Sequence, residues 1–212
     1  MNPPAHVVVF AKAPVAGLAK TRLIPALGPQ GAANLARRML SHAVQQAVAA
    51  RLGSVELCVT PDTLHPEFEQ LAQRHGLALT QQGPGDLGAR MHNAFNRVLQ
   101  DHPAALLLGT DAPAVDATVL AAAARALKRA DAVFVPAHDG GYALVGLRKA
   151  CPDLFQDIAW STPDVMAQTR RKALAAHIRW HELAVVHDID EPVDLVHVPK
   201  GWVLPAARHM QD

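Results

Sequence analysis

The sequence predicts an α/β protein built on a mostly parallel sheet covered by helices. Three observations carry this expectation. Short apolar runs alternate with longer stretches of helical periodicity from residue 6 to residue 136, the pattern of repeated strand–helix units. The runs at 6–10 and 104–108 are apolar throughout most of their length, as strands buried on both faces are. Charged residues also gather where predicted strands end, the edge at which open α/β sheets collect ligands.

Residues 6–10, His6-Val7-Val8-Val9-Phe10, form the first predicted strand. A helical pattern over 31–52 places Leu35, Met39, Ala43 and Val48 roughly on one face, with Gly53 as its C-terminal glycine. Residues 54–60 alternate as a second strand ending at Pro61, and 66–75 read as an amphipathic helix stopped by Gly76. A weak third strand at 77–80 leads into a loop. Asp86 then stands where an N-cap belongs, ahead of a helix over 87–100. Pro103 separates that helix from the strand at 104–108. A helix over 117–130 and a strand over 132–136 follow.

The alternation then breaks. Gly140-Gly141 is followed at once by the strand pattern 142–147, and so short a connection cannot make a parallel crossover. That strand is expected to be antiparallel or to belong to a second small sheet. A helix near 164–176 and a last strand over 184–189 complete a single domain, 1–198. The tail 199–212 carries Trp202, Val203 and Leu204 and is expected to dock on its own subunit or on a neighbour, which leaves a homodimer open.

Composition narrows the function. The 212 residues are 50% hydrophobic but only 4% aromatic, so the core is expected to be aliphatic. Net charge is +1 and no lysine/arginine stripe appears, which argues against a nucleic-acid partner. Cys58 and Cys151 are far apart, as expected of reduced thiols in the cytoplasm. The first apolar run is too short for a secretory signal, and no stretch approaches a membrane span. A soluble, cytoplasmic protein is expected.

The candidate chemistry begins in the loop after the first strand. It has one glycine, Gly17, which excludes both the P-loop and the three-glycine dinucleotide fingerprint. It carries Lys12, Lys20 and Arg22 instead, so phosphate would be held largely by side-chain charge, Arg22 as a bidentate fork and Lys20 as a point charge. A solvated basic loop is the alternative. Asp111 follows a strand and Gly109; a carboxylate there suits a hard divalent cation, although this segment alone favours a turn or N-cap. In Asp188-Ile189-Asp190, strand alternation would put both carboxylates on one face, although Asp188 also reads as a cap ahead of Pro192. Asp139-Gly140-Gly141 combines a carboxylate with glycines that permit close backbone approach, and it also reads as a tight reversal. Gly85, Asp86, Gly88 and Arg90 lie in a loop and first helical turn that could face a base or ribose.

Other chemistries find little support. Ser41, Ser54 and Ser161 lie outside any Gly-x-Ser-x-Gly context, and the 12 histidines form no His-Glu-x-x-His motif. His177 and His181 share a helical metal-pair spacing that solvated histidines also produce.

Several of these motifs carry a resemblance. Lys12-x-Pro-x-x-Gly-x-x-Lys-Thr-Arg-Leu resembles the signature loop of a bacterial glycosyltransferase-like family with the GT-A, nucleotide-diphospho-sugar transferase, fold. It is similar, more distantly, to the guanylyltransferases of molybdenum cofactor and phospholactate metabolism. Blocks at 85–91, 109–113, 139–147 and 188–195 agree in the same order. The resemblance implies a three-layer Rossmann-like fold, with helices on both faces of the sheet and one antiparallel strand. It implies a transferase using Mg2+ or Mn2+, a nucleotide or nucleotide-sugar donor and a small-molecule acceptor. Asp111 would be the metal ligand, Asp190 the second, and Asp188 a direct or water-mediated one. Lys20, Arg22 and Asp111 would carry catalysis, with Lys12, Gly17, Gly85, Asp86 and Arg90 beside Lys20 and Arg22 on the nucleotide. Asp139, Gly140, Gly141 and Trp160 would shape the acceptor side. Glycosyl transfer is the leading expectation; nucleotidyl transfer releasing pyrophosphate, or a non-catalytic nucleotide-binding module, are the alternatives.

Overall fold

A computed structural model describes residues 4–202. One seven-stranded sheet organises them. Its strands are β1 (His6–Lys12), β2 (Val55–Thr60), β3 (Ala78–Gln81), β4 (Ala105–Leu108), β5 (Ala132–Pro136), β6 (Tyr142–Leu147) and β7 (Trp180–Glu182). The order across the sheet is β3-β2-β1-β4-β6-β5-β7. All neighbours are parallel except β6, which runs antiparallel to both β4 and β5. The short connection 137–141 therefore produces an antiparallel strand inside the same sheet, the first of the two outcomes its length allowed.

Alternation along β1 splits the core into two layers. Val7, Val9 and Ala11 pack with α1 (Ile24–Ala49), α2 (Pro66–His75) and α4 (Ala117–Ala126). Val8 and Phe10 pack with α3 (Leu87–Val98) and α5 (Val165–Ala175). Every residue of β1 before Lys12 is buried, as its unbroken apolar run predicts. The result is the three-layer, GT-A-like arrangement, helices on both faces.

The local signals are largely obeyed. Asp86 caps α3 by accepting the Ala89 N–H at 2.8 Å, and Gly76 ends α2 in the left-handed region at φ 64°. Three expectations need correction. The first helix starts at Ile24, not near Gly31, because a short turn precedes a break at Gly28 (φ 70°) and Pro29 opens the longer segment. That helix ends at Ala49, so Gly53 is not its cap; Gly53 is needed because a Cβ there would lie 2.9 Å from Ala5 O. The last strand is Trp180–Glu182 rather than 184–189, where only Val186 bridges to Ala137.

A third, smaller cluster lies beneath the loop after β1. Leu23, Leu35, Met39 and Ile189 are buried together, with Leu195, Val198 and Trp202 packed against them. Trp202 also takes the Arg38 guanidinium 5.1 Å over its ring and meets His42 edge-on. The start of the expected tail thus docks on its own chain, while Val203 and Leu204 lie outside the described residues. Among the described residues no helix is long and apolar enough to cross a membrane.

At the opposite edge of the sheet from the loops that follow β1 and β4, Glu56 is buried on the α3 side. Arg97 grips it with two bonds of 2.8 and 2.5 Å, and His6 Nε2 stands 3.6 Å away. Burial pushes the Glu56 carboxyl up, but His6 and Arg97 together outweigh that and hold it at about 2, below its ordinary 4.5. The folded value is the lower one, so this stability is present above the unfolded value and is lost as pH falls from about 4.5 towards 2. Arg97→Met should strand a buried carboxylate and cost about 3 kcal/mol in urea unfolding at pH 7, with the deficit shrinking as pH drops through that window. A pH-independent deficit would show that Glu56 is not its source.

Candidate functional site

The carboxyl ends of β1, β4 and β5 open into a cavity of about 540 Å³. The loop leaving β1 is folded on itself. Leu18 and Ala19 donate their N–H groups to Val15 O, Gly17 adopts φ 82°, and Lys12 Nζ donates to Leu18 O at 3.0 Å. This closure delivers Lys20 in a left-handed conformation, φ 48° and ψ 47°, and its side chain turns inward.

There Lys20 Nζ donates to Ile189 O at 2.6 Å and to Asp190 Oδ1 at 3.5 Å, and it forms an ion pair with Asp111 Oδ1 at 2.8 Å. Arg22 is mostly exposed and donates to Asp190 Oδ2 at 2.7 Å, with Glu191 at 3.9 Å. Asp111 follows β4, and its carbonyl accepts the Ile189 N–H at 2.8 Å, so the backbones carrying Asp111 and Asp190 are tied directly. Asp188 and Asp190 flank the buried Ile189 and both reach the cavity. The side-to-side alternation expected of a strand therefore survives in a segment that is not one. Asp194 accepts the N–H groups of Asp190 and Glu191, fixing this turn ahead of the 3-10 helix Pro192–His197. Burial, and then the nearby Asp139 carboxylate, push the Asp188 carboxyl above its ordinary value.

The acceptor-side candidates face the other wall. The Gly141 N–H donates to Asp139 Oδ1 at 2.8 Å, and Gly140 sits at φ 89° against the backbone of Pro163. Trp160 reaches the cavity because Gly88 lets its indole approach α3; a Cβ at Gly88 would stand 2.7 Å from Trp160 Nε1. The glycine in Asp86-Leu87-Gly88 thus serves packing.

Lys12, Lys20, Arg22, Asp111, Asp139, Gly141, Trp160, Asp188 and Asp190 all line the one cavity. Gly17, Gly85, Asp86, Arg90 and Gly140 do not. Asp86 is spent on the cap, and Arg90 Nε donates back to Gly85 O at 2.8 Å. Sequence reading missed Gln82, Leu87 and Met91 on the lining. Gln82 is buried, its amide donating to Ala11 O and Cys58 O at 3.2 Å each, and a glutamine in a Gly/Pro loop gives no sign of that. Three imidazoles also stack beside the site, His138 on His187 at 3.7 Å and His187 on His197 at 3.6 Å. Among the described residues, no three or more His, Cys, Asp or Glu side chains are grouped to hold a metal ion.

Fold and cleft together define a protein of the nucleotide-diphospho-sugar transferase fold. The chain belongs to the family described as "Uncharacterized protein conserved in bacteria (DUF2064)", which matches residues 43–162. A solved structure from Desulfovibrio desulfuricans G20, provisionally described as a nucleotide-diphospho-sugar transferase, is 30% identical, with a TM-score of 0.81 over 89% of this chain and 83% of that one. Two more distant structures share the fold. One is CMP:2-keto-3-deoxy-manno-octonic acid synthetase complexed with CTP (14% identity, TM-score 0.58, 92% and 96% covered). The other is 4-diphosphocytidyl-2C-methyl-D-erythritol synthase of Anaerococcus prevotii DSM 20548 (10%, 0.59, 92% and 94%). No curated protein matches the sequence.

The reversal before β6 supplies a test of this geometry. Gly140→Ala forces an L side chain into the left-handed region and into Pro163, so it should cost at least about 2 kcal/mol of stability. Urea unfolding measures it; a neutral result would mean that the 137–141 turn is not built as described.

Proposed function

We propose that this protein is a divalent-metal-dependent transferase using a nucleotide-sugar donor. The observation that carries the reading is the meeting of Lys20, Arg22, Asp111 and Asp190 at one end of a cleft large enough for a nucleotide and an acceptor. The two cations and two carboxylates come from three separate segments, up to 170 residues apart in the chain. The relative at 30% identity, with its nucleotide-diphospho-sugar transferase description, supports the same reading.

The donor set suits a hard cation. Carboxylate oxygens of Asp111 and Asp190 already share a positive group, the Lys20 ammonium, at 2.8 and 3.5 Å. Two carboxylates are what Mg2+ ordinarily takes from a protein when substrate phosphates supply the rest. Asp111 and Asp190 would hold the ion, with Asp188 beside them. When bound, it supplies neutralisation of charge developing on the leaving diphosphate.

The chain's own groups do the remainder. Arg22, exposed and anchored by Asp190 and Glu191 at the surface, is free to swing its fork onto phosphate oxygens, and Lys20 adds a point charge. Both act where charge grows during departure of the diphosphate. Leu87, Met91, Tyr142 and Trp160 form an apolar wall that keeps water from the acceptor side, and Asp139 faces the same space.

Product analysis separates the chemistries: glycosyl transfer releases a nucleoside diphosphate, and nucleotidyl transfer releases pyrophosphate. The nucleoside diphosphate is the expected product. Arg22→Ala should weaken nucleoside diphosphate binding by about 1.5–3 kcal/mol in calorimetry while leaving stability nearly unchanged. Metal and nucleotide should each tighten the other by the same factor. Asp111→Asn or Asp190→Asn should abolish that coupling and spare metal-free nucleotide binding. Full coupling in both variants would place the metal site elsewhere.

A further inference from the structure

The Lys20 ammonium is an internal cation. Its side chain is only 7% exposed, and Ile189 O, Asp111 Oδ1 and Asp190 Oδ1 lie 2.6, 2.8 and 3.5 Å from Nζ. Two of these contacts are hydrogen bonds and the third is an ion pair, so the ammonium is surrounded by acceptor oxygens. The backbone is bent to bring it there. Left-handed geometry at a non-glycine residue costs about 1 kcal/mol or more, and Lys20 adopts it at φ 48°. The neighbouring cation behaves differently: Arg22 is 62% exposed and reaches the outer oxygen of Asp190 and, at 3.9 Å, Glu191.

This arrangement limits what else the two carboxylates can hold. A divalent ion bridging Asp111 and Asp190 would need the oxygens now within reach of the ammonium. An ion and the ammonium competing for the same oxygens would be like charges at close range, which repel even beside partly exposed carboxylates. One of them has to leave. A diphosphate entering the cleft offers the ammonium new anionic oxygens, at little cost in charge.

Resting on the function proposed above, we propose that Lys20 is a tethered stand-in for the divalent ion. In the nucleotide-free protein it fills the position between Asp111 and Asp190 and keeps free metal out. It yields that position when a diphosphate takes over its ammonium, so metal binding is tied to donor binding. Lys20 is thereby both the counter-ion of the empty site and a phosphate ligand of the filled one.

The test is manganese binding without nucleotide, followed by electron paramagnetic resonance of the free ion. Wild-type protein should bind Mn2+ weakly. Lys20→Met should bind it about tenfold tighter or more, the scale set by losing a charged hydrogen-bonding competitor. Lys20→Gln keeps a neutral donor for Ile189 O and should show the same gain even if Lys20→Met folds poorly. Adding Asp111→Asn to either variant should remove the gain. Water-proton relaxation of wild-type protein with Mn2+ and inorganic pyrophosphate reports the ternary complex separately. If that complex forms but neither Lys20 variant tightens Mn2+, the stand-in role is overturned and the metal-dependent function stands. If it does not form and neither variant gains, both are overturned.

Discussion

One buried ammonium holds the site end of this molecule together. Lys20 comes from the loop after β1, Asp111 from the end of β4, and Ile189 with Asp190 from the segment after β7. Without a cation between them, two carboxylates and a carbonyl would face one another in a half-buried space, an arrangement that costs energy in any low-dielectric setting. The apolar cluster of Leu23, Leu35, Met39 and Ile189 lies directly below, so the same segments are joined by packing and by charge. Burial of Ile189 orients its two flanking aspartates, and the ammonium balances them.

The sheet makes that convergence available. Parallel strands bring the ends of β1, β2 and β4 to one edge, and the antiparallel β6 carries Tyr142 into the same region directly after the Asp139 turn. The cleft thus has a charged end and an apolar wall. Glycine is used there for space. Gly140 lets the turn pass Pro163, and Gly88 lets Trp160 close against α3. The opposite edge is arranged for stability, with Glu56 enclosed by Arg97 and His6.

Much of this was legible in the chain. The order of strands and helices, the antiparallel sixth strand, the Asp86 cap and the Gly76 stop all follow from local rules of periodicity, capping and connection length. Those rules act over a few residues, and a sequence displays them directly. They failed where a distant contact overrode them: the early start of α1 goes with packing Leu23 beneath the site, and beyond the single bridge at Val186 the 184–189 segment turns from the sheet, Ile189 N–H bonding Asp111 O.

The sequence by itself determined which residue types stand near strand ends, and so a set of candidates; the tertiary structure decided that nine of them line one cavity. Only the tertiary structure decided their partners. Nothing local says that Lys20 turns inward while Arg22 stays exposed, that Arg90 folds back on Gly85, or that Gln82 is buried between two strand ends. A charge is satisfied by whatever lies within a few ångströms, and here that neighbour is up to 170 residues away along the chain.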